Sequence, residues 1–554
     1  MRRWLAWVVL AAAWLFVLSA PGAGAATPSS AGSFAVASEN AAATRAAIDT
    51  LRAGGNAVDA AIAACLVSGV ANPTSSGIGG GGFALVWDAA TSRMTALDFR
   101  EAAPRHIRSQ DLDHRPVDDM RRGLLVGVPG EVAGLAEMHR RWGRRTFQQD
   151  AEAAIRSAER GFVIEGHMAR AVRNHRAGLQ LSLALTDRFL RRGMPIGAGE
   201  RVTNPALAGT LRAIATSGPS AFYHGPIAVD IARVVRDYGG CLDESDLAAY
   251  RVIEREPLHV FRDGFDVYTM PPPSAGGLLL AQTMLLHDRG EMTRVGRASA
   301  AYVHLLAEGF RGAIADRMRY VGDPDYTLVP TDLLLSDAHL DARRAIISSG
   351  GSHLLPAFAL PEHGTMHLVV VDRDRNVVSL TSTVNNAFGS RLVAPRSGVL
   401  LNDELDDFTP RDVARLFGMS DGGPNAPRGG ARPTSSMTPT VVLKQGVPVV
   451  ALGGSGGTLI PTSVTQALLG MLWFEMPAQA AVSAPRFGVR TVDGALMTEP
   501  SLLPEAAIAE LRGQGEMVVP LAVPAAVQAV RLGDRGQVQA GADPRKLGSA
   551  RVDR

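Results

Sequence analysis

A β-hairpin with a threonine at its mouth constrains this chain more than any other feature. Residues 366–371 form a Val-rich apolar run, the pattern of a strand covered on both faces. Residues 372–376 are polar and read as a turn. Residues 377–385 return as a second strand, with Ser379, Thr381, Thr383 and Asn385 at period 2 on one face. A hairpin folded about Asp374 sets Thr365 opposite Thr383, with Asn385 diagonal to it. Two hydroxyls and an amide then converge at the strand's start. An acidic stretch containing Glu404, Asp406 and Asp407 follows a short gap.

The N-terminus reads as a leader. Arg2 and Arg3 precede an apolar run, Trp4 to Leu18, and the small residues Ala23-Gly24-Ala25 follow it. That is the plan of a secretory signal peptide over 1–25; the apolar run is short of the roughly 20 residues a spanning helix needs. The expected location is periplasmic or secreted, with no membrane anchor once the leader is removed. Without Arg2 and Arg3 the formal charge of +2 falls to near zero, and no basic domain points to nucleic acid. Lys444 and Lys546 are the only lysines among many arginines. Cys65 lies in an apolar helical run and Cys241 in a loop; two cysteines make no disulfide framework, and buried free thiols are expected.

Helical patterns cover Gly55–Gly69, Val128–Arg141 and Asp150–Arg160, and the second half is strand-rich. Ser349–Gly364 is broken by Gly350, Gly351, Pro356 and Pro361 and reads as a surface segment. The glycine string Gly77–Gly82 follows a helix and precedes a strand at Phe83–Trp87, the reverse of a dinucleotide site, so it predicts close backbone packing. Gly453-Gly454-Ser455-Gly456-Gly457 fits G-x-S-x-G between a strand and a helix, as a nucleophile elbow does. That fold places its His after the Ser, and no His follows His367. The better role for these glycines is an oxyanion hole, where a loop without side chains brings backbone N–H groups onto a developing charge.

Further segments join the hairpin: GNAVDAAIAACLVSGVANP at Gly55, SSGIGGGGFALV at Ser75, DFREAAP at Asp98, GVPGEVAGL at Gly127, MPPPSAGG at Met270, RPTSSMTPT at Arg432, GGSGG at Gly453 and ADPRK at Ala542. In this order they resemble the γ-glutamyltranspeptidases over nearly the whole mature chain. The resemblance implies an α+β N-terminal-nucleophile hydrolase fold, a four-layer αββα sandwich of two stacked antiparallel sheets. It implies a precursor that cuts itself at Gly364–Thr365 into a large subunit, 26–364, and a small catalytic subunit, 365–554, forming a heterodimer that is one interleaved domain.

The resemblance also assigns roles. Thr365 is the expected nucleophile, and its freed α-amine, with an ordinary pKa of about 7.7–8.0, the base. Thr383 orients the hydroxyl, and Gly456 and Gly457 form the oxyanion hole. Arg100, Ser435 and Ser436 take the α-carboxylate of a γ-glutamyl group, whereas Asn385, Glu404 and Asp407 take its ammonium. Asp406 is expected to point elsewhere by strand alternation. Arg486, Arg545 and His367 read as structural. No metal and no cofactor is implied. The expected substrates are glutathione and other γ-glutamyl compounds, with water, amino acids or dipeptides as acceptors.

Departures from the family pattern include Met366, Val369 and Glu404. Phe417, in the possible lid 409–431, stands near where other members carry a Tyr. Two alternatives remain: a cephalosporin or glutaryl acylase using the same nucleophile, and a catalytically silent homologue.

Overall fold

The computed structural model describes residues 33–113, 119–348, 364–419, 422–491, 493–521, 525–533 and 537–554. The leader and the 349–363 segment lie outside these described residues.

Two antiparallel sheets carry the fold. Their strands are β1 (Phe34–Ser38), β2 (Gly81–Asp88), β3 (Arg93–Phe99), β4 (Ile253–Arg255), β5 (Leu258–Arg262), β6 (Phe265–Thr269), β7 (Gly364–Val371), β8 (Val377–Asn385), β9 (Thr440–Lys444), β10 (Val447–Ser455), β11 (Ala526–Leu532), β12 (Val538–Ala542) and β13 (Ser549–Asp553). The seven-stranded sheet runs β13-β1-β7-β8-β2-β3-β4, and the six-stranded sheet runs β12-β11-β10-β9-β6-β5. Alternation along each strand makes two cores. Val36, Val86, Leu368, Val370 and Leu380 face outward into a layer built by α1 (Ala41–Arg52), α2 (Ala57–Ala71), α3 (Glu131–Trp142), α4 (Phe147–Arg160) and α5 (Pro205–Ser217). Ala35, Leu85, Val369 and Val377 face inward onto Val442, Val450 and Leu452 of the second sheet. Helices α6 (Gly276–Leu286), α7 (Ala300–Tyr320) and α8 (Ile460–Leu472) cover that sheet's far side. The four layers are those the resemblance implies.

Helix α2 is buried at every position and apolar all round, as a helix sandwiched between a sheet and other helices must be. Asn56 caps it, its side chain accepting from the Val58 and Asp59 N–H groups while Asp59 accepts from Asn56 N–H, a reciprocal capping box. Between α2 and β2 the glycine string packs backbone on backbone. A Cβ on Gly80 would lie 1.9 Å from the Thr383 carbonyl oxygen, and one on Gly82 2.1 Å from that of Thr381. These glycines thus set how closely β2 approaches β8, and no nucleotide cradle is formed.

The hairpin folds in the register read from the sequence. Val371 pairs with Val377 across the turn, Thr365 with Thr383, and Gly364 with Asn385, with an irregularity between Gly364 and Thr365. Cys65 is a buried free thiol as expected; Cys241 is free but only half-buried, because its loop reaches the surface.

Candidate active site

The start of β7 lies within a hydrogen-bonded frame. Thr365 Oγ1 is 3.4 Å from Thr383 Oγ1. The Thr383 hydroxyl donates to the Gly364 carbonyl at 2.8 Å and accepts from the Asn385 N–H at 2.8 Å. The hydroxyl expected to orient the nucleophile therefore also polarises the carbonyl just before it. A Cβ on Gly364 would lie 2.2 Å from the Thr74 carbonyl oxygen, so only glycine fits there without displacing backbone.

Lys546 completes this end, and sequence reasoning missed it. Its ammonium donates to the Thr365 carbonyl at 3.1 Å, to Ser455 Oγ at 2.6 Å and to Glu39 Oε2 at 3.3 Å. Glu39 Oε1 accepts the His367 backbone N–H at 3.1 Å. Burial pushes the Glu39 carboxyl up, against the pull of Lys546.

Ser455 ends β10, and a short turn leads into α8, so the strand–turn–helix shape of an elbow is present. Its neighbour is a lysine rather than a histidine. That lysine donates to Ser455 Oγ and to two further acceptors, the Thr365 carbonyl and Glu39. Gly456 and Gly457 follow with φ of 131° and 64°, in the region that favours glycine. A Cβ on Gly456 would also lie 2.7 Å from Ala525 Cα. His367 is fully buried with Nδ1 2.9 Å from Thr381 Oγ1; burial pushes it down to about 3, so it is neutral packing, as read.

A charged cluster lies beyond Asn385. Arg100 leaves the end of β3, its N–H held by Asp98 at 3.0 Å and its carbonyl by the Tyr250 hydroxyl at 2.8 Å. Its guanidinium pairs with Glu404 and Asp407 and donates to the Pro433 carbonyl at 3.2 Å. Arg100 is thus neutralised by the acids expected to hold the opposite charge of a ligand. Glu101, fully buried and 3.9 Å from Arg100, joins them. Burial pushes Glu101 up to about 8 and Glu404 well above the usual carboxylate range, with Arg100 pulling both back.

Residues Glu404–Asp407 form a 3₁₀ turn, which corrects the strand alternation expected for Asp406. Side chains three apart eclipse in such a turn, so Glu404 and Asp407 share a face and Asp406 does not. Asn402 anchors this turn: its side chain accepts from Glu404 N–H and donates to the carbonyls of Gly79 and Gly127.

Four oxygens here are orphans. Asn385 Oδ1, Glu404 Oε2 and both carboxyl oxygens of Glu101 are buried with no hydrogen-bond partner. Nearby, Ser435 Oγ accepts from Met437 N–H at 3.1 Å, and Ser436 Oγ accepts from Arg317 of α7. Each hydroxyl is thereby left with its own proton to donate. The arrangement offers acceptors on one side and donors on the other, which suits an α-amino acid head group. Arg317, Lys546, Glu39 and Glu101 were not singled out from sequence. Lys546 and Glu101 adjoin motif arginines, a signal that could have marked them; Arg317 and Glu39 carry none. Arg486 pairs with Asp543 at 2.6 Å, and Arg545 bonds Glu499 and Asp543, a structural network as read.

The gamma-glutamyltranspeptidase family model matches residues 43–552. The glutathione hydrolase proenzyme of Escherichia coli (strain K12) is 34% identical over 531 residues, 92% of this chain and 90% of that protein. The glutathione hydrolase proenzyme of Bacillus subtilis (strain 168) is 34% identical over 84% of this chain and 82% of its own length. Among solved structures, a cephalosporin acylase from Bacillus halodurans superposes with a TM-score of 0.84 at 27% identity, covering 96% of this chain and 98% of its own. Helicobacter pylori gamma-glutamyltranspeptidase does so with a TM-score of 0.53 at 32% identity, over 56% of this chain and 90% of that one. With its motifs, its two stacked sheets and these likenesses in agreement, the chain belongs to the γ-glutamyltranspeptidase family.

Proposed function

We propose that this protein is a self-processing glutathione hydrolase and γ-glutamyltransferase. The observation that carries the reading is the bonded frame at Thr365: a hydroxyl facing a hydroxyl, with Thr383 donating to the Gly364 carbonyl. In the first step Thr365 Oγ attacks the Gly364 carbonyl carbon. Negative charge develops on the oxygen that already accepts from Thr383; the bond from Gly364 carbon to Thr365 nitrogen then breaks, that nitrogen takes up the hydroxyl proton, and the resulting ester is hydrolysed by water. The products are the large subunit, 26–364, and the small subunit, 365–554, whose new α-amine serves as base.

In the second reaction that amine takes the Thr365 hydroxyl proton as the oxygen attacks the γ-carbonyl of glutathione. The Gly456 and Gly457 N–H groups stabilise the oxyanion. The amine passes its proton to the departing nitrogen, and a γ-glutamyl ester remains on Thr365. Water, or an amino-acid or dipeptide amine, then releases it. The head group binds by exchanging internal ion pairs for its own: its ammonium goes to Asp407, Glu404 and the Asn385 amide oxygen, and its carboxylate to Arg100, Ser435 and Ser436. The leader sequence supports a periplasmic or secreted location. Among the described residues no helix is long and apolar enough to cross a membrane.

The near-complete superposition on a cephalosporin acylase favours a second reading, hydrolysis of glutaryl amides by the same nucleophile. Two buried carboxylates and the unpartnered Asn385 amide oxygen argue against it, since a glutaryl chain offers no ammonium to satisfy the acceptors gathered there. The test is a denaturing gel of the purified protein with N-terminal sequencing of the smaller band. The reading expects two bands and a sequence starting at Thr365. A full-length single chain that hydrolyses γ-glutamyl amides would overturn it.

A further inference from the structure

The Lys546 cluster lies outside every role assigned above. It joins four distant parts of the chain: the end of β1 through Glu39, the start of β7 through Thr365, the end of β10 through Ser455, and the turn after β12 that carries Lys546. Thr365 and Ser455 belong to different sheets. The lysine is therefore a hydrogen-bonded tie between the nucleophile residue and the loop that continues into Gly456 and Gly457. The Lys546 side chain is 18% exposed and that of Glu39 only 1%, so the pair is mostly screened from bulk water. Such ties matter because catalysis falls steeply when reacting groups drift from alignment.

We propose that Lys546 is a positioning residue for the reaction: its ammonium clasps the Thr365 carbonyl to the Ser455 hydroxyl, with Glu39 as counter-ion, fixing nucleophile and oxyanion loop in one frame and balancing the charge beside the nucleophile's amine. This rests on the reading of Thr365 as nucleophile. The clasp has a directional electrostatic consequence. The α-amine of Thr365 works only when neutral. Removing the lysine leaves the Glu39 carboxylate, held on the His367 N–H two residues along the strand, as the uncompensated charge of this end, which favours the ammonium form. Removing the Glu39 charge leaves a bare cation, which disfavours it.

The other titratable groups around this point are accounted for. His367 on β7 is neutral, with its pKa pushed down to about 3 by burial. His167, which feels the Lys546 charge, is pushed down to about 4, mainly by burial. Arg545 is spent on Glu499 and Asp543. The remaining charges, Arg100, Glu101, Glu404 and Asp407, belong to the head-group cluster beyond Asn385.

The experiment measures kcat, KM and the pH profile of kcat/KM for a γ-glutamyl anilide with processed wild type, Lys546→Met, Lys546→Arg and Glu39→Gln, alongside Thr365→Ala. The clasp expects Lys546→Met to lose at least about tenfold in kcat with KM nearly unchanged. Lys546→Arg should recover most of the loss. The acid limb of the profile should move to higher pH in Lys546→Met and to lower pH in Glu39→Gln. If Lys546→Met fails to process, the limbs of Lys546→Arg and Glu39→Gln, near wild type and lowered respectively, decide the matter. Limbs that move together or not at all, or a loss confined to KM, would overturn the clasp. An active Thr365→Ala would instead overturn the nucleophile reading beneath it.

Discussion

The two ends of the site are held by different physics. At the Thr365 end, position comes from strand register: two hydroxyls face each other because β7 and β8 pair residue for residue, and glycines bring the neighbouring backbones close. At the Arg100 end, position comes from charge: a guanidinium, three acids and a short 3₁₀ turn are assembled by loops and kept out of water. The first is a register-built frame with a single ion pair, Lys546–Glu39, at its edge; the second is a set of ion pairs that a ligand must enter by exchange. The difference teaches which rate constant each end governs. On the proposed function, the register-built end would set the chemical step and the ion-paired end which substrate reaches it.

The hardest break falls on the register end. Thr365→Ala should remain one full-length chain with no detectable turnover, read on a gel and in an anilide assay, because the hydroxyl left in the frame, that of Thr383, is committed to the Gly364 carbonyl. Wild-type cleavage in that variant would move the reaction elsewhere.

The next largest effect belongs to the charged end. Asp407→Ala should lower kcat/KM for a γ-glutamyl anilide by about a hundredfold, since losing a charged partner in a partly desolvated pocket costs a few kcal/mol. It should leave a glutaryl anilide, which lacks the ammonium, nearly unaffected. The ratio of the two specificity constants, compared between wild type and variant, sharpens the contrast between the ends. A wild type that prefers glutaryl, or a ratio that does not move, would favour the acylase reading.

Ser455→Ala tests whether the elbow shape means an elbow. It removes one of three acceptors from Lys546 but no backbone donor from the glycine loop. Activity should fall only a few-fold, about the worth of one hydrogen bond. Total loss, together with labelling of Ser455 by a serine-directed phosphonate, would make Ser455 the nucleophile.

The smallest effect is on stability alone. Glu131, fully buried at the start of α3, accepts from Ser382, and burial pushes it up to about 7. Its folded pKa is raised, so its contribution to stability is full below the unfolded value and is lost as pH rises through about 7. Tm should therefore decline between roughly pH 4.5 and 7, with a loss on the order of a few kcal/mol at most from this group, and Glu131→Gln should flatten the decline. Turnover should stay near wild type, because this carboxyl belongs to neither end.

The same contrast explains what could be read from the sequence. Period-2 alternation and a short polar turn fix a hairpin almost uniquely, so Thr365 opposite Thr383 was legible before any coordinates. The glycine string was legible for a similar reason: a helix before it and a strand after it leave only close packing. The charged end was legible as a list of residues and not as an arrangement. Nothing local shows that Glu404–Asp407 closes into a 3₁₀ turn, nor that Arg100 spends its donors on the acids meant for the opposite ligand charge. Lys546 and Glu39 meet across 507 residues, and Arg317 reaches Ser436 from a helix, so no spacing rule brings them together.

The strand order has a consequence for reversibility. Reading across the seven-stranded sheet, β13 comes from after Thr365, β1 from before it, β7 and β8 from after, and β2, β3 and β4 from before. A molecule cut at Gly364–Thr365 thus keeps its two pieces intercalated, with each supplying strands that the other's must lie between. Before the cut, folding is a first-order event within one chain. After it, an unfolded molecule can recover only by a second-order encounter of two chains, at a rate that depends on concentration. Processing would then convert a refoldable protein into one whose lifetime is set by how slowly it first opens.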